Sequence, residues 1–224
     1  MTNLNNKNQT SAYLRKGILL NYRTLLLLIF SAVVFSSCKE ESDEVEEYPN
    51  WKVTNEAYIK AKYDYAQSVI NGSWFTLKSY QYNDSVPKTV NNSVVVQVIT
   101  TGTGTESPIY SDSVQVNYRG YLLQSTSYTS SDDPELGLVF DESYSGKFSL
   151  DTARPSSMYV GSVVDGFATV LQKMHVGDRW KVYIPYQLGY SESGSGTIPG
   201  YSTLVFDIQL QAFCHAGETL PPLK

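Results

Sequence analysis

The side chains in this chain that are placed to do chemistry are aromatic, not nucleophilic or metal-binding. Its two histidines, His175 and His215, stand far apart with no carboxylate or cysteine at ligand spacing, so neither a metal nor a cofactor is expected. The stretch "TTGTGTES" is glycine-rich, yet it lacks the Gly-Lys-Ser/Thr ending and the following helix that a phosphate cradle needs. No serine sits in a nucleophile elbow. What recurs at strand ends and loop mouths is Tyr118, Phe140 followed by Asp141, Phe167, Tyr190 and Phe206. Singly, each such ring fits a hydrophobic core; an Asp directly after Phe140 does not.

Three segments alternate with the period of strands buried on one side. In "SVQVNYRGYLL", Val114, Val116 and Tyr118 face the core while Gln115, Asn117 and Arg119 face away. In "RWKVYIP", Trp180, Val182 and Ile184 alternate against Arg179, Lys181 and Tyr183. In "TLVFDIQLQAF", Leu204, Phe206, Ile208 and Leu210 alternate against polar partners. Between them, "VVDGFATVLQKMHVG" places Val164, Phe167, Leu171 and Met174 on a helical stripe, with Gly177 as its C-cap. These elements predict an α+β fold: a bent antiparallel sheet, a half-barrel, wrapped around one short helix. A second helix is predicted in "WKVTNEAYIKAKYDYAQSVING", capped by Thr54 or Asn55, with Glu56 in its first turn and Ile59, Tyr63, Ala66 and Ile70 on one face. With the strand "SWFTLKSYQYN" after it, residues 51–90 form an N-terminal extension; 91–213, opening with the strand "SVVVQVITTGTG", form the main domain, and 214–224 a short tail.

The first 37 residues carry Lys7, Arg15, Lys16 and Arg23, no acid, and a run of about a dozen apolar or small residues ending at Cys38. That run is short for a membrane span of roughly 20 residues. The formal net charge of −5 becomes −9 once those four basic residues are removed. With no basic patch, nucleic acid is not an expected partner. Residues 38–50 include "KEESDEVEE", a like-charge run that reads as a solvated tether. With Cys38 modified, Cys214 is the one cysteine left, so no intramolecular disulfide is available.

Taken in order, "VQVNYRGYLL", "VFDESY", "VVDGFATVLQKMHVGDRWKVYIP", "LGYSESGSGTIP" and "STLVFDIQL" resemble the FK506-binding-protein family of peptidyl-prolyl isomerases over roughly residues 94–213. The resemblance implies the half-barrel fold, proline-containing polypeptides as clients, and a monomer. It implies Tyr118, Phe140, Asp141, Tyr190 and Phe206 as catalytic residues. Val163, Val164, Phe167, Ile198 and Met158 would complete the substrate pocket, with the Ser/Gly loop after Tyr190 as its flap. By the same resemblance the Val164 N–H would hold the substrate carbonyl after the proline, and the Tyr190 hydroxyl the carbonyl before it.

The N-terminus is in turn similar to a bacterial lipoprotein signal, implying cleavage at residue 37, acylation of Cys38 (palmitate class) and an outer-membrane location. The acidic run after Cys38 resembles a cell-surface export signal. Departures from the family pattern are Phe167 where a tryptophan floor is usual, Ser156 and Met158 where aromatics are usual, and longer loops at "QSTSYTSSDDPELGL" and "SYSGKFSLDTARPSS". Tyr118, Phe140, Asp141, Tyr190 and Phe206 kept together favour an isomerase that assists protein folding; the altered floor and the two loops, expected near the pocket rim, favour the alternative, a catalytically weak binding module. A third reading, a tyrosine-rich glycan binder, rests on the eighteen tyrosines and the surface signal.

Overall fold

The structure is a computed structural model that describes residues 46–222, which pack as one compact unit. Cys38, the signal segment and most of the acidic tether lie outside the described residues. Among the described residues no helix is long and apolar enough to cross a membrane.

Seven strands form one antiparallel sheet: β1 (Trp74–Lys78), β2 (Ser93–Thr100), β3 (Ser113–Leu123), β4 (Leu136–Glu142), β5 (Ser156–Tyr159), β6 (Arg179–Ile184) and β7 (Leu204–Cys214). Their spatial order is β1-β2-β6-β7-β3-β4, and β5 shares the outer edge of β3 with β4. β1, from the predicted extension, is thus an edge strand of the common sheet. Helix α1 spans Trp51–Ser68 and helix α2 spans Asp165–Leu171.

Side-chain alternation assigns the two faces. Val94, Val96, Val182, Ile184, Leu204, Ile208 and Leu210 line the concave face, fully buried with α2. Opposite Val116 and Gln115, β7 carries a bulge, so the alternation that ends at Leu210 resumes at Phe213. Helix α2 is shorter than the periodicity suggests. It ends at Leu171, and Gly166 to Leu171, Thr169 included, are all buried, so it is covered all round and not striped. Met174 is buried beyond its end. Gly177, at φ 95°, serves the tight turn into β6 and not the helix C-cap.

The convex face differs most from expectation. Gln115, Asn117 and Arg119, expected in solvent, are 4%, 2% and 6% exposed, and Tyr183 is buried as well. Distant segments cover them. The Gln115 amide donates to the Pro221 carbonyl at 2.6 Å, and Asn117 donates to Gln209 at 2.8 Å. Arg119 donates to Glu142 at 2.7 Å and to the Tyr144 carbonyl at 2.8 Å. Arg179 makes a two-point pair with Asp207, at 2.8 and 2.7 Å, while Phe148 stacks on its guanidinium. Both long loops lie here: Asp132 reaches Arg119, Asp133 bonds Lys181 at 2.6 Å, and Glu135 bonds Lys62 of α1 at 2.7 Å.

Helix α1 and β1 cover the rest: Tyr58 of the helix and Trp74 of the strand pack about Tyr183. The N-cap of α1 is Asn50, four or five residues before the predicted cap at Thr54 or Asn55, so Glu56 falls beyond the first turn. Asn55 is instead fully buried inside it. Its amide donates to the Trp51 carbonyl at 2.8 Å, and its carbonyl oxygen accepts from the Thr203 N–H at 2.7 Å. Trp51 donates to Ser202 at 2.9 Å, and Ser202 donates onward to the Pro199 carbonyl at 2.6 Å. Ile59 and Ala66 are buried as predicted, whereas Ile70 lies past the helix end, fully exposed.

Asn55→Ala leaves the Thr203 N–H buried without its acceptor, and should cost about 1–3 kcal/mol of unfolding free energy. A urea titration checks this; an unchanged midpoint would remove α1 from the stable core.

Candidate active site

A cleft of about 420 Å³ opens at the concave face, lined by Tyr118, Phe140, Asp141, Met158, Ser162, Val163, Val164, Phe167, Tyr190, Ser195, Gly196, Thr197, Ile198 and Phe206. The ten side chains expected at the site all line it. β3 supplies Tyr118, β4 Phe140 and Asp141, β5 Met158, and the β5–α2 segment and α2 the two valines and Phe167. The 189–201 loop supplies Tyr190 and Ile198, and β7 supplies Phe206.

Phe206 is the hub of the ring cluster. Phe167 meets it at 5.0 Å and 84°, Phe140 at 5.4 Å and 85°, and Tyr118 at 6.4 Å and 55°. Two of these are edge-to-face contacts, with the positive ring edge against the negative ring face. Phe167 is almost wholly buried. As the floor it closes the cleft against the core, with a smaller ring than an indole.

The polar groups are few. The Tyr118 hydroxyl donates to Asp141 Oδ2 at 2.9 Å. Burial first, then the hydrogen bond to and the charge of Asp141, hold the Tyr118 phenol above the ordinary tyrosine range, so it stays a protonated donor. Val164 is the N-cap of α2, in extended conformation and without a side-chain cap, which leaves backbone donors at that helix end. Tyr190 is about two-fifths exposed at the mouth.

The Ser/Gly loop is a hydrogen-bonded hairpin. Ser195 and Ile198 exchange both backbone bonds at 2.9 Å, and Gly194 N–H reaches the Tyr190 carbonyl at 3.0 Å. At its root the Tyr201 N–H bonds the Ser191 carbonyl at 3.0 Å, with both residues at positive φ. Ser195, Gly196 and Thr197 on its tip, and Ser162, were missed by sequence reasoning, which took only the apolar positions of the loop.

Gly120 was missed too, though it lies in the quoted "NYRGYLL". It pairs with Phe206 across β3 and β7, and a Cβ there would sit 2.6 Å from ring atoms of both Phe140 and Phe206. The missing side chain is what lets the two rings lie over the strand. Neither long loop lines the cleft; both cover the convex face, contrary to the expectation that they crowd the rim.

The cleft is walled by aromatic rings, with the Tyr118–Asp141 pair and the hydroxyl-bearing Ser162, Tyr190, Ser195 and Thr197 in its lining, so it can hold an apolar ring and polar chain groups together. Fold and cleft together define a half-barrel that clasps a short helix and offers an aromatic pocket under a hairpin flap. Residues 104–211 match the family model described as FKBP-type peptidyl-prolyl cis-trans isomerase. It is 33% identical to the macrophage infectivity potentiator of Trypanosoma cruzi over 57% of this chain and 56% of that one. It is 31% identical to the FKBP-type peptidyl-prolyl cis-trans isomerase FkpA of Escherichia coli K12 over 71% of this chain and 51% of that one. The crystal structure of FkpA from Escherichia coli aligns with a TM-score of 0.48 at 26% identity, covering 94% of this chain and 83% of that one. The chain spans about half the length of the curated relatives it matches.

Gly120→Ala should push the Phe140 and Phe206 rings apart, costing about 1–3 kcal/mol. A urea titration and the near-ultraviolet circular dichroism of the rings check this; both unchanged would deny the close approach. The raised Tyr118 pKa carries a sign as well. A proton held more tightly in the folded state adds stability below the unfolded tyrosine value of about 10, and that stability is lost as pH rises past it. Urea titrations from neutral to alkaline pH should show a steeper loss above about pH 10 in wild type than in Tyr118→Phe.

Proposed function

We propose that the protein is a peptidyl-prolyl cis-trans isomerase, acting on X-Pro bonds of polypeptide clients to assist their folding, held by lipid on Cys38 at the outer membrane of a bacterial cell envelope. The observation that carries the catalytic part is the cleft itself, with Phe206, Phe167, Phe140 and the Tyr118–Asp141 pair around one volume of about 420 Å³.

Rotation about an X-Pro bond faces about 18–20 kcal/mol because the amide must give up its resonance. The planar amide is the charge-separated form, so an apolar cleft disfavours it relative to the twisted one. Ring edges of Phe140 and Phe206 then face the carbonyl as it leaves the amide plane. The Val164 N–H holds the carbonyl after the proline, the Tyr190 hydroxyl the carbonyl before it, and the proline ring sits on Phe167. Asp141 fixes Tyr118, and with it one wall. Each tenfold in rate needs about 1.4 kcal/mol of preference for the twisted amide. With both long loops on the convex face, the cleft mouth is open to a chain, which supports turnover over a pocket that only binds.

Prolyl cis-to-trans exchange on a short Ala-Pro peptide tests the reading. Wild type should accelerate it. Phe140→Ala should lose about a hundredfold, equal to about 2.7 kcal/mol. Tyr190→Phe should lose about fivefold, the weight of one neutral hydrogen bond of about 1 kcal/mol. A folded wild type that gives no acceleration would leave a proline-binding module. Metabolic labelling with palmitate tests the anchor: no label on the wild-type chain, or label that survives Cys38→Ala, would refute it.

A further inference from the structure

Three tyrosines stand in contact on the surface beside the cleft: Tyr80, Tyr110 and Tyr159, with exposures of 41%, 44% and 44%. The Tyr80 and Tyr110 rings lie 5.3 Å apart and the Tyr110 and Tyr159 rings 6.4 Å apart. They come from three places in the chain: the loop after β1, the loop before β3, and the last residue of β5. The fold holds them deliberately close to one segment. The Tyr110 hydroxyl donates to the Gly161 carbonyl at 3.3 Å. The Tyr80 hydroxyl donates to Asp165 Oδ1 at 3.2 Å, and its backbone N–H lies 3.4 Å from the Thr169 hydroxyl of α2. Gly161 sits against the rings, so that a Cβ there would lie 2.6 Å from Tyr159 and 2.9 Å from Tyr110.

That segment, 159–165, also contributes Ser162, Val163 and Val164 to the cleft, and Met158 precedes it. The tyrosine ledge therefore adjoins the cleft at its Val164 end. Exposed rings in contact are a costly surface for a protein to keep and a common one for gripping extended chains: large area, few rotatable bonds, and a hydroxyl at the tip.

Resting on the isomerase reading above, we infer that the Tyr80–Tyr110–Tyr159 ledge binds the part of the substrate chain that follows the proline, and favours apolar or aromatic side chains there. The direction follows from Val164. Its N–H takes the carbonyl after the proline, so the chain beyond that carbonyl leaves past Asp165 and onto the ledge. An extended chain advances about 3.3 Å per residue, so rings 5.3 and 6.4 Å apart match about three residues. The Asp165 carboxylate at the ledge edge disfavours acidic residues in the same positions.

The test uses three peptides sharing an Ala-Ala-Pro-Gly core: one extended after it by Leu-Phe-Leu, one by three glycines, and one with Leu-Phe-Leu placed before it and glycines after. Exchange kinetics on the wild-type protein should give a KM about tenfold lower for the first than for the other two, with similar kcat, as about 1.4 kcal/mol of added ring contact would produce. The triple variant Tyr80→Ser/Tyr110→Ser/Tyr159→Ser should lose that preference while keeping its rate on the glycine peptide. The single Tyr159→Ser, whose hydroxyl holds no part of α2, should lose part of it should the triple variant fold poorly. Equal KM values in wild type, a preference that survives the triple variant, or one that follows residues before the proline would overturn the inference and leave the isomerase standing. Should wild type turn over none of the peptides, fluorescence anisotropy decides the ledge by itself. Tighter binding of the first peptide, lost in the triple variant, supports it; equal binding of all three overturns it.

Discussion

The register of β3 on β7 is the constraint on which both faces of this protein depend. Tyr118 lies opposite Ile208, Arg119 opposite Asp207, and Gly120 opposite Phe206. Because side chains alternate, a slip of one residue would carry every one of them to the other face. Phe206 would leave the cleft, and Asp207 would enter the apolar concavity without Arg179. The Gly120–Phe206 pair is the sharpest part of this register, since only a residue without Cβ leaves room for two rings over the strand. The bulge of β7 further along, opposite Gln115 and Val116, bends the same strand pair.

A sheet buried on both faces follows from what surrounds that register. The apolar face holds α2, and the charged face is closed by α1, the 124–135 loop and the 143–155 loop. Ion pairs such as Arg179–Asp207 and Lys181–Asp133 are half-buried there, where desolvation offsets much of their attraction. Their larger effect is on placement. A bidentate Arg–carboxylate pair and a lysine aimed at one loop carboxylate admit few alternative ways of docking these segments. Helix α1 then reaches the flap from behind, through the bonds running from Trp51 to Ser202 to Pro199 and from Asn55 to Thr203.

Much of this was legible in the chain. The alternation in β3, β6 and β7 assigned the concave residues correctly, and the family resemblance brought together the side chains that line the cleft. The convex face was not legible, because Gln115, Asn117 and Arg119 have the polarity of solvent-facing residues. Only segments distant in sequence, such as Pro221 and Glu142, decide that they are covered. Asn55 misled for a related reason: a good N-cap residue by type, it is used as a buried hydrogen-bonding hinge four residues into the helix. The loops at 124–135 and 143–155 read as rim insertions because they adjoin β4, yet Asp132, Asp133 and Glu135 of the first and Tyr144 and Phe148 of the second find partners on the opposite face. Gly120 carried a signal in principle, a glycine inside an otherwise regular strand, which marks a close approach.

On the proposed isomerase reading, a reaction without a proton or a nucleophile leaves catalysis to shape and field alone, and that bears on why so much structure stands behind a small cleft. A wall that yields by an ångström as the amide twists would hold the planar isomers as well as the twisted one, and uniform binding lowers no barrier. On that reading, rigidity of Phe206, Phe140 and Tyr118 is part of the chemistry. Phe206 is held between Phe167 and Gly120, Tyr118 by its bond to Asp141, and the flap by its own hairpin bonds and by Ser202. The covered convex face stiffens the same strands from the other side. The N-terminal helix meets the cleft through the flap, by way of Ser202 and Pro199, while the long loops brace β3 and β7 from the far side through Arg119 and through Phe148 on Arg179, the partner of Asp207.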